Sequence, residues 1–242
     1  MHIRVINPNT TASMTAAIGH AARAVAAPTP KSSNPGFGAP GIECHLDDVW
    51  AAAGVAEQVR RGEEEGADTY VIACFGDPGL HAARELARGP VIGIAEAAIH
   101  AASLVATGFS VVTTLVRTCV IAEHLLLQYG FERRCSGIHG SDIAVLQLDD
   151  PASDAFGRVL AAAEHALAHD RSGAIVLGRA GMADLCHALQ QRLAVPVIDG
   201  VAAAVVLAEG LVRMNVGTSK RGDYAAPLTK NYAGLASPFS PR

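Results

Sequence analysis

The fold is decided by an apolar run that ends in one cysteine and a glycine turn, Thr69-Tyr70-Val71-Ile72-Ala73-Cys74-Phe75-Gly76-Asp77-Pro78-Gly79. A second segment has the same design but carries an arginine instead, Gly173-Ala174-Ile175-Val176-Leu177-Gly178-Arg179-Ala180-Gly181-Met182. Runs that are apolar throughout are typical of parallel-sheet strands, which are buried on both faces. Two strand-end loops of like design indicate two similar lobes that face one cleft.

Short apolar runs alternate along the chain with alanine-rich stretches of helical periodicity. The predicted strands are His2–Asn7, Glu43–Leu46, Thr69–Phe75, Val91–Ile94, Phe109–Thr114, Gly137–Asp142, Ala174–Leu177 and Val197–Asp199. The predicted helices lie near Thr11–Ala26, Val49–Gly62, Pro78–Arg88, Ala95–Leu104, Thr118–Tyr129, Ser153–His169, Met182–Leu193 and Val201–Val212. This alternation favours an α/β fold of two pseudo-symmetric lobes, each an open parallel sheet flanked by helices, with the active site in the cleft between them.

The chain of 242 residues suits two lobes of about 100 residues each. We expect the first lobe to comprise residues 1–100 plus 205–242 and the second lobe residues 101–204. The helix that begins near Val201 then returns to the first lobe. The stretch Pro28–Pro40 is rich in proline, serine and glycine, which predicts a mobile surface loop or a lid over the cleft.

The composition excludes several classes of protein. Hydrophobic residues make up 50% of the chain and charged residues only 17%, with a net charge of -4, so the basic surface of a nucleic-acid binder is not expected. The apolar runs end well before the ~18 residues of a membrane-spanning helix. The N-terminus enters a strand-like run directly, without a signal-peptide pattern, which predicts a cytoplasmic protein with no membrane and no nucleic-acid partner.

The cysteines and histidines give no metal or disulfide pattern. The five cysteines are widely spaced and form no CxxC pair, so in a reducing cytosol they are expected to be free thiols. The ten histidines are scattered along the chain. The sequence therefore predicts no metal site.

The candidate site residues lie in four predicted strand-end loops. Ligands of open α/β sheets bind beyond the carboxyl ends of the strands. The short polar side chains and free amides of such loops suit carbonyl or anionic oxygens, although the same residues can instead cap the helices that follow. The candidates are Asn9 and Thr10; Cys74, Phe75 and Gly76; Thr113 and Thr114; and Arg179, Ala180 and Gly181.

Cys74 and Arg179 are the candidate catalytic residues. Asp77 is predicted to be the N-cap, and Pro78 the first residue, of the next helix, which would place the Cys74 thiol near a helix N-terminus that lowers its pKa. The alternative is a buried, inert cysteine. Arg179 follows a buried run, where an unpaired arginine is rare. It either faces the cleft or forms a structural ion pair, for which Asp199 is a candidate partner.

Six segments together resemble the Asp/Glu racemase superfamily, and specifically its hydantoin/allantoin racemase branch. They are Val5-Ile6-Asn7-Pro8-Asn9-Thr10, Ala73-Cys74-Phe75-Gly76-Asp77-Pro78-Gly79, Gly93-Ile94-Ala95-Glu96-Ala97, Val112-Thr113-Thr114, Leu177-Gly178-Arg179-Ala180-Gly181-Met182 and Val197-Ile198-Asp199-Gly200-Val201. Each segment alone is a weak signal. Their joint order through nearly the whole chain is a strong signal of the family and a weaker one of the substrate.

The resemblance implies an isomerase without a cofactor, acting on the stereocentre of a small cyclic amide. The implied ring is of the hydantoin or allantoin type. A cyclic dipeptide is a variant, because it offers the same acidified carbon between a ring carbonyl and a ring nitrogen. The resemblance also implies two cysteines on opposite faces of the substrate: one thiolate removes a proton from the carbon beside a carbonyl, and the other thiol returns a proton. Cys74 falls on the first position, whereas the second position holds Arg179. We also expect a homo-oligomer.

The arginine at the second position leaves three hypotheses open. The chain is a racemase or epimerase in which Cys74 works with another proton donor, a single-thiol decarboxylase or lyase, or a small-molecule-binding homologue without turnover. A guanidinium can stabilise an enolate or hold Cys74 as the thiolate. Cys186 lies on the predicted helix that follows and is a poor substitute for the missing cysteine.

Overall fold

The computed structural model describes residues 1–143, 154–180 and 183–241. Its strands are β1 (Ile3–Ile6), β2 (Lys31–Ser33), β3 (Thr69–Ile72), β4 (Val91–Gly93), β5 (Phe109–Thr113), β6 (Cys135–Gly140), β7 (Ile175–Gly178) and β8 (Val197–Ile198). Its helices are α1 (Ala12–Val25), α2 (His45–Glu64), α3 (Leu80–Leu86), α4 (Ile94–Val105), α5 (Cys119–Tyr129), α6 (Ala155–His169), α7 (Ala183–Leu193) and α8 (Gly200–Arg213). Ser153 and Met182, predicted to begin two of the helices, lie outside the described residues.

The strands form two four-stranded sheets with the same internal order. The first sheet has the order β2-β1-β3-β4 and the second the order β6-β5-β7-β8, and every paired strand is parallel to its neighbour. Parallel neighbours require a crossover connection, which helices of the chain supply. The predicted α/β fold with two open parallel sheets is confirmed.

The two central strands of each sheet are buried at every residue. Their apolar runs therefore reflect burial on both faces, as in other parallel sheets. Ile6 of β1 pairs with Ile72 of β3, and Thr113 of β5 pairs with Gly178 of β7. Because these partners lie at the carboxyl ends of the strands, the loops that follow begin side by side at one edge of each sheet.

The second strand of the chain is not the one predicted. Glu43–Leu46 forms no strand, since α2 begins at His45. Lys31–Ser33 pairs with β1 instead. The segment Pro28–Pro40, predicted to be a mobile loop, therefore contributes an edge strand to the first sheet. Three polar residues at a sheet edge give neither an apolar run nor an alternating pattern, which is why the sequence did not reveal them.

Helices α8 and α4 pack against the sheets. Val201 of α8 lies in a buried cluster with Ile3 of the first sheet. On α4, Ala97 belongs to that same cluster, whereas its neighbour Ala98 packs with Phe109 of the second sheet. The two sheets thus share a helix that includes residue 100. The division of the chain into residues 1–100 plus 205–242 and residues 101–204 stays a prediction.

All five cysteines are free thiols. Within residues 1–143, 154–180 and 183–241, no group of three or more His, Cys, Asp or Glu side chains is arranged to hold a metal ion. None of the described helices combines the length and the apolar character that crossing a membrane requires.

Candidate active site

A cavity lies at the carboxyl ends of the two sheets, with an empty volume of about 670 Å3 including its open mouth. A concave, mostly apolar lining with a few polar side chains is typical of sites that bind small molecules. Eight of the predicted site residues line it: Asn9, Cys74, Phe75, Gly76, Thr113, Thr114, Arg179 and Ala180. Loops from both halves of the chain therefore meet at one place, as the design of the two strand-end loops predicted.

Two predicted site residues are not among these. Gly181 lies outside the described residues. Thr10 is adjacent to the cavity but does not line it, because its backbone N–H and its hydroxyl both donate to the carbonyl of Ala39, at 3.0 and 3.3 Å. Thr10 therefore ties the segment after β2 to the loop after β1 rather than lining the cavity.

Asn9 presents its amide nitrogen as a hydrogen-bond donor. The residue is only 4% exposed, and its Oδ1 accepts bonds from the Asn7 side chain at 2.8 Å and from the Thr11 backbone at 2.9 Å. Its Nδ2 lies 3.5 Å from the sulfur of Met14, which is a weak acceptor. A carbonyl oxygen of a ligand would be a much better acceptor, so Asn9 is suited to bind one by donating.

The Cys74 thiol is protonated in the free protein near neutral pH. Burial raises the pKa of Cys74 to about 12, and the nearby carboxyl groups of Asp77 and Asp48 add to the rise. The predicted lowering by a helix N-terminus is wrong, because α3 begins only at Leu80 and its N-cap is Gly79 in the left-handed region. The residue keeps some accessible surface, which faces the cavity.

Asp77 caps a different helix from the one predicted. Its carboxyl accepts the N–H groups of Ala95 and Glu96 at 3.1 and 2.9 Å, and so caps α4. Tyr129 donates a third hydrogen bond to it at 2.7 Å. Burial raises the pKa of Asp77 from 3.8 to about 7. Gly93 has no room for a side chain, because a Cβ there would overlap the Asp77 carboxyl.

The second sheet contributes two threonine hydroxyls in contact with each other. Thr113 Oγ1 lies 3.2 Å from Thr118 Oγ1 and donates to the carbonyl of Gly178 at 3.3 Å. Thr118 Oγ1 lies 2.7 Å from the carbonyl of Leu115, to which it donates. These contacts join the ends of β5 and β7 to the segment that follows β5. Thr114, which is also buried, lies next to this pair at the cavity wall.

Arg179 directly follows β7 and is only 8% exposed, yet it lines the cavity. Asp199, its predicted candidate partner, is engaged elsewhere, because its carboxyl accepts the N–H groups of Val201 and Ala202 and caps α8. A second strand-end carboxylate, Glu96, forms a 2.6 Å ion pair with Arg84. The guanidinium of Arg179 therefore belongs to the cavity wall rather than to either of these structural contacts.

Sequence reasoning missed Asp48 and the apolar part of the wall. Asp48 lies in the first turn of α2 and lines the cavity, and burial raises the pKa of its carboxyl above 3.8. Met14, Ile42 and Ile121 give the cavity an apolar side. The signal for Asp48 was the pair Asp47-Asp48 at a helix start, which also fits simple helix capping.

The fold and the cavity define the class: a two-lobed α/β protein with a small-molecule site between two like parallel sheets. The chain belongs to the Asp/Glu/hydantoin racemase family, whose model matches residues 3–208. This confirms the family that the six segments predicted.

Similar proteins cover the chain almost completely. A hydantoin racemase of Rhizobium meliloti is 48% identical over 236 residues, which are 97% of this chain and 98% of the relative. A hydantoin racemase of Pseudomonas sp. (strain NS671) is 42% identical over 241 residues, 99% of this chain and 97% of the relative. The solved structure of an allantoin racemase from Klebsiella pneumoniae is 54% identical, covers 100% of both chains and superimposes with a TM-score of 0.97. The protein is thus an isomerase of the racemase type.

Proposed function

We propose that the protein racemises the stereocentre of a small cyclic amide by proton transfer through Cys74, without a cofactor. The ring is of the hydantoin or allantoin type, with a cyclic dipeptide as the alternative ring. The observation that carries the proposal is the position of Cys74, a thiol that faces a cavity built from both sheets. Full-length relatives named for hydantoin and allantoin racemisation support the ring type.

The chemistry suits a carbon placed between a ring carbonyl and a ring nitrogen. Removal of its proton moves the electron pair of the C–H bond onto the carbonyl oxygen, which becomes an enolate. Donors that point at this oxygen stabilise the charge as it develops. The Nδ2 of Asn9 can serve as such a donor, and Thr113 and Thr114, which come from the second sheet, also line the cavity.

Arg179 acts by charge in this proposal. A guanidinium remains protonated near neutral pH, because its pKa exceeds ~12, and is a poor proton acceptor. Its positive charge favours an enolate and a thiolate alike. The position that the resemblance assigns to a second thiol therefore holds a group that stabilises charge instead of moving a proton.

The test is deuterium exchange followed by proton NMR. Single enantiomers of 5-substituted hydantoins, allantoin and cyclic dipeptides are incubated with the protein in deuterated water, and loss of the ring-carbon proton is followed together with optical rotation. Exchange with loss of rotation in at least one ring class supports the proposal, provided that the loss of rotation is abolished in Cys74→Ser. Tight binding without exchange would identify a binding protein, and release of carbon dioxide from a carboxylated analogue without racemisation would identify a decarboxylase.

A further inference from the structure

Inversion at a carbon uses one group to remove a proton and another to return a proton from the other side. The described residues that line the cavity include three with titratable side chains: Cys74, Asp48 and Arg179. The guanidinium stays protonated near neutral pH and is therefore a poor acid–base group. Asp48 is therefore the group within this described lining that can move a proton together with Cys74.

Asp48 and Cys74 reach the same part of the cavity from different elements. Asp48 extends from the first turn of α2, whereas Cys74 lies just after β3. A Cβ placed on Gly76 would lie 3.5 Å from Asp48 Oδ1 and 3.9 Å from Cys74 Sγ. Glycine at this position keeps the space beside the carboxyl and the thiol free of a side chain.

We propose that Asp48 is the second acid–base residue of the site, working on the face of the ring that Cys74 does not reach. The inference rests on the proposed function. In one direction, the Asp48 carboxylate takes the proton from the ring carbon, and the C–H electron pair becomes the enolate. The Cys74 S–H then protonates the same carbon from the other face. The products are the inverted ring, a carboxylic acid and a thiolate.

The pair returns to its starting state without any further reactant. The proton on Asp48 passes to the Cys74 thiolate through solvent at the open mouth of the cavity. The opposite enantiomer uses the same two groups in reverse, with the thiolate removing the proton and the carboxylic acid returning it. Each turnover removes one proton from the carbon and adds one, so that no oxidant or reductant is involved.

The electrostatics favour one negative charge shared by the pair. Burial raises the pKa of Cys74 to about 12, and the Asp48 charge contributes to the rise. Burial also raises the pKa of Asp48, while the nearby His45 opposes that shift. Ionising both groups at once is therefore unfavourable, whereas moving one proton between them keeps the charge of the site constant.

The experiment compares exchange with inversion in Asp48→Asn, an isosteric change. We expect this variant to lose racemisation by ~100-fold or more, the usual range for a general acid–base group, while it still exchanges the ring proton of one enantiomer through Cys74. Cys74→Ser should show the mirror result, with residual exchange in the other enantiomer. Asp48→Glu keeps a carboxyl and should recover part of the racemisation.

Asp47→Asn is the matched control. Asp47 precedes Asp48 in the same helical turn, but its carboxyl accepts the backbone N–H of Glu43 at 3.0 Å and is not part of the cavity lining. The Asp47→Asn variant should racemise the ring at the wild-type rate. The inference is overturned if Asp48→Asn racemises at the wild-type rate. It is also overturned if this variant, with its fold intact by circular dichroism, loses exchange equally in both enantiomers; neither result contradicts the proposed function. Absence of exchange in the wild type overturns the proposed function, and this inference with it.

Discussion

The hydroxyl of Tyr129 donates a 2.7 Å hydrogen bond to the buried carboxyl of Asp77. Tyr129 is the last residue of α5, the helix after β5 of the second sheet, whereas Asp77 lies in the loop that carries Cys74. The same carboxyl caps α4, the helix that the two sheets share. One carboxyl thus fastens the thiol-bearing loop to both halves of the molecule.

Asp77→Asn is expected to change how the free energy of unfolding depends on pH. Since the folded pKa of Asp77 is raised from 3.8 to about 7, the folded state holds this proton more tightly than the unfolded state does. The contribution of Asp77 to stability therefore falls as pH rises from about 4 to about 7. Urea unfolding across this range should show the stability of the wild type, relative to Asp77→Asn, declining with pH.

Asp47→Asn again provides the control, because the pKa of Asp47 is lowered in the folded state, mainly by the Glu43 backbone N–H. A lowered pKa contributes stability that is lost only as pH falls below the ordinary range of an aspartate. The difference in unfolding free energy between wild type and Asp47→Asn should therefore stay constant between about pH 5 and about pH 7, because this range lies above the ordinary aspartate pKa of about 3.9. A constant difference for Asp77→Asn as well would contradict the raised pKa.

Alkylation of Cys74 by iodoacetamide is expected to be slow at neutral pH and to quicken by about tenfold per pH unit, because only the thiolate reacts and burial keeps its fraction small. Peptide mass spectrometry after timed exposure gives the rate at each pH. A substrate ring in the cavity should protect the thiol. Rapid alkylation at pH 7 with no pH dependence would show that the thiol is already ionised.

Asn9→Ala is expected to raise KM more than it lowers kcat, costing ~1–3 kcal/mol of binding if a ring oxygen loses its donor. Thr10→Val serves as the control, because the Thr10 hydroxyl is used for the Ala39 carbonyl and does not line the cavity. Its KM should remain near that of the wild type, and its small loss of stability can be measured by thermal unfolding. Equal KM values for Asn9→Ala and the wild type would remove Asn9 from the binding site.

Arg179→Cys tests what the guanidinium contributes. If its charge supports the enolate, replacing it lowers racemisation, by on the order of 10- to 1000-fold for a group that stabilises developing charge. Arg179→Lys, which keeps the charge, should retain more activity than Arg179→Met. The opposite result, racemisation that appears or rises in Arg179→Cys, would mean that arginine blocks a site made for two thiols.

The sequence predicted the parts of the fold that burial dictates. The apolar runs of β1, β3, β5 and β7 identify central strands of parallel sheets, and their glycine-ended loops identify the edge where the cavity lies. The edge strand Lys31–Ser33 was missed, since it is short and polar. It is held by pairing with β1, which no local pattern reports.

The candidate site could be predicted only where its residues lie at the end of a strand or just after it. Cys74, Thr113 and Arg179 do so, and the structure brings them to one cavity. The partner of Asp77 could not be predicted, because its carboxyl caps a helix that begins many residues later and also meets Tyr129. Asp48 was missed for a related reason, since it reaches the cavity from a helix start that is distant in sequence.

The repeated strand order affects how the site treats the two enantiomers of a substrate. Two sheets of identical order place Cys74 after the third strand of one half and Arg179 after the third strand of the other. A site with the same group at both places would offer the same chemistry to either enantiomer, whereas a thiol and a guanidinium do not. Enantiomers in water have equal free energies, so the ratio kcat/KM must be the same in both directions. The difference between the two halves can therefore appear only as compensating differences in kcat and KM, so that one enantiomer is bound more tightly and turned over more slowly than the other.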